Sequence, residues 1–95
     1  MVIGACKITI RISSVSSLKG KRQIVKKIVE RVKNKFNSSI AEVGSHDKWQ
    51  KAEIGFCVVG NEGSFVNSVL DKILDYIEDM QLAENIHSEI EIIHL

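Results

Sequence analysis

Apolar and polar side chains alternate strictly near the start of the chain. A period of two predicts a strand over about residues 2–13 with one buried face. The apolar positions of this strand are Cys6, Ile8, Ile10 and Ile12. The alternation stops at the serine-rich segment 13–17, where Ser16 or Ser17 can accept hydrogen bonds from the free amides of a following helix.

Helical spacing follows the serines. Apolar residues recur at steps of three and four over about residues 17–35, which predicts a first helix with one apolar stripe. A second helix is predicted after Asn61, its expected N-cap, with an acidic exposed face. The apolar positions of the two helices are Leu18, Val25, Ile28, Val29, Val32 and Phe36, then Val66, Val69, Leu70, Ile73, Ile77 and Met80.

Three further strands complete the pattern. Residues 39–43 and 52–59 are two strands joined by a loop of hairpin length, and Ile86, Ile90 and Ile92 mark the inward face of a fourth. The order strand, helix, strand, strand, helix, strand is typical of the ferredoxin-like sandwich. We therefore predict one α+β domain over residues 1–95, with a four-stranded antiparallel sheet in the order 4-1-3-2 and two helices on one face.

Charge is divided unequally along the chain. Residues 1–35 carry ten basic side chains against the single acid Glu30, whereas residues 36–95 carry three basic side chains and eleven acids. The apolar and charged fractions, 44% and 26%, are those of a soluble globular chain. Lys7 interrupts the apolar start, so we expect neither a signal peptide nor a membrane span, and we expect a cytoplasmic protein.

The basic residues of the first helix flank its apolar stripe on both sides. Because Glu30 is the only acid within that helix, an external anion such as RNA phosphate would be stabilised there. The predicted anion-binding residues are Ser16, Ser17, Lys19, Lys21, Arg22, Lys26, Lys27, Arg31 and Lys33. Two alternatives stay open: the acidic second helix neutralises one flank while water solvates the other, and the serines only cap the helix.

The sheet face opposite the helices is predicted to be open. Alternation gathers aliphatic side chains at one end of it, and such an exposed patch favours a homodimer. The predicted interface residues are Ile3, Val59, Ile93 and Leu95. At the other end Arg11 is expected to meet Glu53 and Glu89. Trp49, in the hairpin loop, either anchors a partner or packs over the sheet edge.

No catalytic constellation stands out. Cys6 and Cys57 are expected to be reduced and to face opposite sides of the sheet, and His46 beside Asp47 is weak evidence for acid-base or metal chemistry. The first strand has no aromatic residue and Phe56 points to the core, so base stacking on the sheet is not expected. We expect no metal and no cofactor.

Four stretches together resemble the YlxP-like family of small bacterial proteins of unknown function. They are Ser17-Leu18-Lys19-Gly20-Lys21-Arg22, Val32-Lys33-Asn34-Lys35-Phe36-Asn37, Ala41-Glu42-Val43 and Asp47-Lys48-Trp49-Gln50-Lys51-Ala52. The resemblance covers essentially the whole chain and implies a ferredoxin-like fold without catalytic residues. Members are often encoded beside translation and ribosome-maturation factors, which favours RNA or ribosome association. Gly20 departs from the family, where Glu is usual, and this removes a capping-box partner.

Two functions are consistent with these patterns. The first is a non-enzymatic RNA- or ribosome-associated factor that binds phosphate through its basic first helix. The alternative is a homodimeric module for protein interaction or small-anion sensing.

Overall fold

The six predicted elements are all present. The computed structural model describes residues 1–95. The elements are β1 (Val2–Arg11), α1 (Leu18–Lys35), β2 (Ser39–Gly44), β3 (Lys51–Gly60), α2 (Gly63–Asp79) and β4 (Glu84–His94). The sheet order is β2-β3-β1-β4 with every neighbouring pair antiparallel, which confirms the predicted order 4-1-3-2.

One apolar core joins the sheet to both helices. It contains 17 buried side chains, and Ile8, Ile28, Ile54 and Leu70 are completely inaccessible to solvent. Burial of one such aliphatic side chain contributes about 1.5–3 kcal/mol. The helices therefore cover the face of β1 that carries Cys6, Ile8 and Ile10, while the opposite face of the sheet has no covering element.

The first helix begins as predicted and the second does not. Ser17 is the N-cap of α1, and its hydroxyl accepts a hydrogen bond from the amide of Gly20 at 3.1 Å. Such a cap contributes about 1 kcal/mol. The N-cap of α2 is Glu62 rather than Asn61, and its side chain makes no capping hydrogen bond.

A bulge in the β1–β4 pairing overturns one predicted core position. Thr9 lies opposite His87 and Ile10 lies opposite Asn85, so Ile86 is left without a partner in β1. An extra unpaired residue changes the side to which side chains point. Ile86 is consequently 42% exposed instead of buried.

Ile90 also stays more exposed than its position predicts. It pairs with Cys6 and so lies on the helix side of the sheet, yet 44% of it is accessible. β4 is an edge strand that α2 covers only in part, and only Ile92 of its residues packs against the core.

The register also changes the predicted charge pairs. Arg11 lies opposite Lys51 and Glu84, not opposite Glu53 and Glu89. The predicted pairing is wrong because register is fixed by the apolar core positions and by the bulge, which the local charge pattern does not encode.

Close packing of α2 on β1 predicts that Gly4 does not tolerate a side chain. A Cβ atom there would overlap Val66 and lie 2.8 Å from Leu70 Cδ1. We expect Gly4→Ala to lower the free energy of unfolding by about 1–3 kcal/mol, as overpacking does. Urea denaturation followed by circular dichroism measures this change.

The matched control is Gly63→Ala. A Cβ atom there meets only His94 at 3.7 Å, and the residue lies in the first turn of α2. Alanine at that position should leave stability unchanged or raise it slightly. Equal losses in the two variants would contradict the close approach at Gly4.

Candidate nucleic-acid interface

The solvent-facing surface of α1 is densely positive. Seven of its basic residues are exposed: Lys19, Arg22, Lys26, Lys27, Arg31, Lys33 and Lys35. Lys26 approaches Glu30 at 3.9 Å, and Lys35 lies 4.8 Å from the centre of the Tyr76 ring. An ion pair as exposed as that of Lys26 and Glu30 contributes little to stability. Because Glu30 is the only acid among these seven cations, the surface stays strongly positive.

The other five exposed cations form no ion pair. They are Lys19, Arg22, Lys27, Arg31 and Lys33, and no carboxylate of α2 lies within 4.0 Å of any of them. The alternative in which the acidic second helix neutralises one flank of α1 by direct pairing therefore does not describe this arrangement.

Lys21 departs from the predicted exposed set. Its side chain is completely buried, although the sequence predicts it on a solvated flank of α1. The expectation fails because Lys21 lies four residues before Val25 and seven before Ile28, which places it on the buried stripe of the helix. This spacing is the sequence signal from which the burial of Lys21 could have been predicted. Lys21 is thus out of reach of a polyanion.

The Lys21 ammonium is enclosed by main-chain oxygens. It donates to the carbonyls of Ser45 at 2.8 Å, His46 at 3.3 Å and Lys51 at 3.3 Å. These three acceptors match the three donors of an ammonium group. The carbonyls lie at both ends of the β2–β3 loop, so the side chain ties the start of α1 to that loop.

Glu42 supplies the countercharge. It points to the helix side of the sheet opposite Ile54, and its Oε2 lies 3.2 Å from the Lys21 Nζ. This oxygen is buried and accepts no hydrogen bond of good geometry, since the carbonyls already take the three N–H groups. The attraction between Lys21 and Glu42 is therefore electrostatic. We call this arrangement of Lys21, Glu42 and the three carbonyls the Lys21 site.

The serines before α1 have different roles. The Ser17 oxygen accepts the capping bond from the Gly20 amide, whereas Ser16 makes no cap and lines a surface concavity. Both serines are exposed, and the Ser17 O–H can still donate while its oxygen accepts the cap.

Lys7 pairs with two carboxylates in the middle of the open sheet face. Lys7 lies 3.3 Å from Glu89 and 4.0 Å from Glu53. The Ser45 hydroxyl also donates to Glu53 at 2.8 Å, and this bond, assisted by Lys7, lowers the pKa of the Glu53 carboxyl against the opposing effect of burial. A concavity of about 720 Å³ lies beside Lys7 and Glu89. It is floored by small residues such as Ala5, Gly55 and Cys57, and we find no unpaired cation in it.

The aliphatic end of the open face forms as predicted. Ile3 lies opposite both Val59 and Ile93 in the sheet. Val59 is 60% exposed, Ile93 40% and Leu95 79%. Trp49 does not join this group, because it precedes the first residue of β3 whereas Val59 lies near the last.

A second concavity is lined by basic side chains that form no ion pair. It has a volume of about 520 Å³ and lies where β1, β3 and the β2–β3 loop meet. Its lining includes Arg11, Lys48, Lys51 and the 56%-exposed Trp49. The sequence singled out Trp49, Ser16 and Arg11 among the lining residues, but it paired Arg11 with Glu53 and Glu89. The bulge that exposes Ile86 and the register that joins Arg11 to Lys51 are not local patterns.

The two thiols lie on opposite sides of the sheet, as predicted. Cys6 is buried on the helix side, and burial raises the pKa of its thiol to about 11, with a further contribution from Asp71. A thiol with that pKa stays protonated near neutral pH and is a poor nucleophile. Cys57 is half-buried on the open face.

The structure has neither a cluster of metal ligands nor a membrane-spanning helix. No group of three or more histidine, cysteine, aspartate or glutamate side chains is arranged to hold a metal ion. Neither helix combines the length and the apolar character needed to span a bilayer.

A four-stranded antiparallel sheet with both helices on one face defines this chain as a ferredoxin-like α+β protein. The family described as "Protein of unknown function (DUF503)" matches residues 3–90, and the chain belongs to that family. The "Uncharacterized protein YlxP" of Bacillus subtilis (strain 168) is 36% identical over 77 residues, which cover 81% of this chain and 84% of that protein. The predicted YlxP-like membership is thus confirmed.

A solved structure supports the fold alone. The "De novo designed protein Foldit4" superimposes with a TM-score of 0.53 at 13% sequence identity. The match covers 99% of this chain and 97% of the designed one.

Removal of the Lys21 charge tests how much the Lys21 site stabilises the fold. Lys21→Met leaves Glu42 buried without a countercharge and removes the ammonium donor from three carbonyls, of which that of Ser45 still accepts from the Lys48 amide at 3.1 Å. We therefore expect the free energy of unfolding to fall by about 3–5 kcal/mol. Adding Glu42→Gln should recover part of that loss. Chemical denaturation of the single and double variants measures both effects.

Lys19→Met is the control, because Lys19 is exposed on the same helix and makes no ion pair. It should change stability by no more than about 0.5 kcal/mol. Similar effects of the two lysine substitutions would show that the buried ion pair has no special role.

Proposed function

We propose that this protein is a non-enzymatic, cytoplasmic factor that binds RNA or ribosomal phosphate through the exposed face of α1. The binding residues we propose are Ser16 at the helix start followed by Lys19, Arg22, Lys26, Lys27, Arg31 and Lys33. Ser17 contributes by capping the helix, and Lys21 contributes only through the structure that it holds.

The observation that carries this proposal is the group of unpaired cations on the solvent-facing surface of α1. Five exposed basic side chains on one helix of 18 residues have no carboxylate partner. Like charges four residues apart destabilise a helix by a few tenths of a kcal/mol each. A phosphate backbone removes that repulsion and releases condensed counterions, which gives affinity without dependence on sequence.

The distribution of charge over the rest of the molecule supports a defined binding face. α2 exposes acids such as Asp71, Asp75 and Glu78, and these would repel the same polyanion. A nucleic acid would therefore be steered to α1 and away from α2. Family membership itself names no function, so the proposal depends on this charge arrangement.

Charge reversal on α1 tests the proposal. We expect Lys19→Glu, Arg22→Glu, Lys26→Glu and Lys33→Glu together to abolish RNA binding measured by filter retention or co-sedimentation with ribosomes. The unchanged protein should bind with an affinity that falls steeply as salt rises, because each phosphate contact contributes about 0.7–0.9 to the logarithmic slope.

Single reversals supply the matched control. Lys27→Glu on α1 should weaken binding several-fold, whereas Lys72→Glu, which changes the same charge on α2, should not. If α1 and α2 reversals have equal effects, or if binding does not respond to salt, the α1 face is not the interface.

The exposed aliphatic end of the sheet favours a second candidate property, self-association. Ile3, Val59, Ile93 and Leu95 form an apolar group at one end of the open face, away from α1. We propose that a second copy of the chain covers this group. Such a dimer fits the first function and also fits a protein-interaction module or a small-anion sensor.

Val59→Lys tests the dimer. Val59 is 60% exposed, so a lysine there should leave folding intact while placing charge in the proposed contact. We expect a dimeric mass for the unchanged protein and a monomeric mass for the variant by light scattering after size exclusion. Val43→Lys, at an exposed site on β2 outside the group, should stay dimeric. A monomeric unchanged protein excludes this candidate.

A further inference from the structure

We propose that the concavity beside Trp49 holds one unpaired nucleotide, with the base stacked on the indole ring and the phosphate near Arg11, Lys48 and Lys51. This inference rests on the proposed function and narrows it. RNA bound along α1 would place one single-stranded, unstacked nucleotide at this end of the sheet. Its base would contact Trp49, so binding there would depend on whether a base is present.

The charge of the concavity favours an anionic occupant. Arg11 and Lys51 are direct neighbours across the β1–β3 pairing, and like charges at such positions are destabilising. Lys48 adds a third cation to the lining. Glu84 lies opposite Arg11 in β4 and Asp47 adjoins Lys48 in the loop, yet neither forms an ion pair with these cations. A phosphate would be stabilised by all three.

The aromatic and apolar part of the lining suits a flat ring. Trp49 is 56% exposed although indole is large and apolar, and Ile86 beside it is 42% exposed because of the bulge in β4. Every nucleobase has a face that stacks on such a side chain, irrespective of sequence. The volume of about 520 Å³ lies within the range of sites for small organic ligands.

The loop that carries Trp49 is held in place before any ligand binds. The Lys21 site bonds the carbonyls of Ser45 and Lys51 on either side of it. Gln50 adds two hydrogen bonds to the β1–α1 connection. Its side-chain Nε2 donates to the Val15 carbonyl at 3.2 Å, and its main-chain carbonyl accepts from the Ile12 amide at 2.8 Å. Preorganisation lowers the entropy lost on binding.

The concavity is continuous with the basic helix. Ser16 lines it and directly precedes Ser17, the N-cap of α1, and Lys19 follows within the first turn. A strand whose phosphates contact α1 can therefore continue past Ser16 into the concavity. This continuity favours a nucleotide of the bound RNA over an unconnected acidic peptide.

Trp49 is the only tryptophan of the chain, so its fluorescence reports on this site alone. The experiment compares a short single-stranded oligouridylate with an abasic strand of the same length and phosphate number. We expect both to bind in a salt-sensitive manner, and only the oligouridylate to quench Trp49 and to bind more tightly. The difference should be about tenfold, the size expected for one stacked base.

Variants locate the effect. Trp49→Leu should remove the preference for oligouridylate while leaving the abasic strand unaffected, as measured by anisotropy of labelled strands. Phe65→Leu is the matched control, because Phe65 is 57% exposed and lies beyond the opposite end of β3. Phe65→Leu should leave the affinities for oligouridylate and for the abasic strand unchanged.

The two proposals fail in different ways. If oligouridylate binds no more tightly than the abasic strand and does not quench Trp49, the proposed nucleotide site is wrong. The proposed phosphate-binding function would still stand, because the abasic strand binds. A Trp49 surface that serves a protein partner would give that result. If neither strand binds, both proposals are wrong.

Discussion

The buried ammonium of Lys21 is the interaction on which the arrangement of this molecule depends. A charge without solvent is tolerated only where hydrogen bonds and a countercharge replace water. Here those partners come from β2, the β2–β3 loop and the first residue of β3. The position of α1 on the sheet, and with it the direction of the basic face, is thereby linked to the shape of the loop at one end of the sheet.

The two faces of the sheet have different physical roles. The helix side holds the single apolar core, and the fully buried charge there is the Lys21 ammonium, paired with Glu42. The open side is divided along the strands: aliphatic residues near Val59, ion pairs around Lys7, and unpaired cations beside Trp49. Phosphate binding and self-association would therefore use separate parts of the surface and need not compete.

The fold could be predicted from sequence because its signals are local. Periods of two and of three to four fixed the order of the elements, and parity placed Cys6 and Phe56 in the core. The features that were missed depend on distant partners. The carbonyls that bind Lys21 lie 24 to 30 residues away, and the exposure of Ile86 follows from the pairing of β4 with β1. The site beside Trp49 combines both kinds: Trp49, Ser16 and Arg11 are noted from the sequence, but the register and the bulge that bring them together are not.

The Lys21 ammonium contacts the hairpin loop through backbone oxygens only. Every amino acid supplies such an oxygen, so replacing the exposed His46 side chain leaves its acceptor in place. Ser45 is more restricted, because its φ is 58° and its hydroxyl bonds Glu53. The loop can therefore exchange the groups that it shows to solvent while its path is preserved. Related proteins that keep the lysine and its glutamate have the freedom to diversify what they recognise at this end of the sheet without rebuilding the domain.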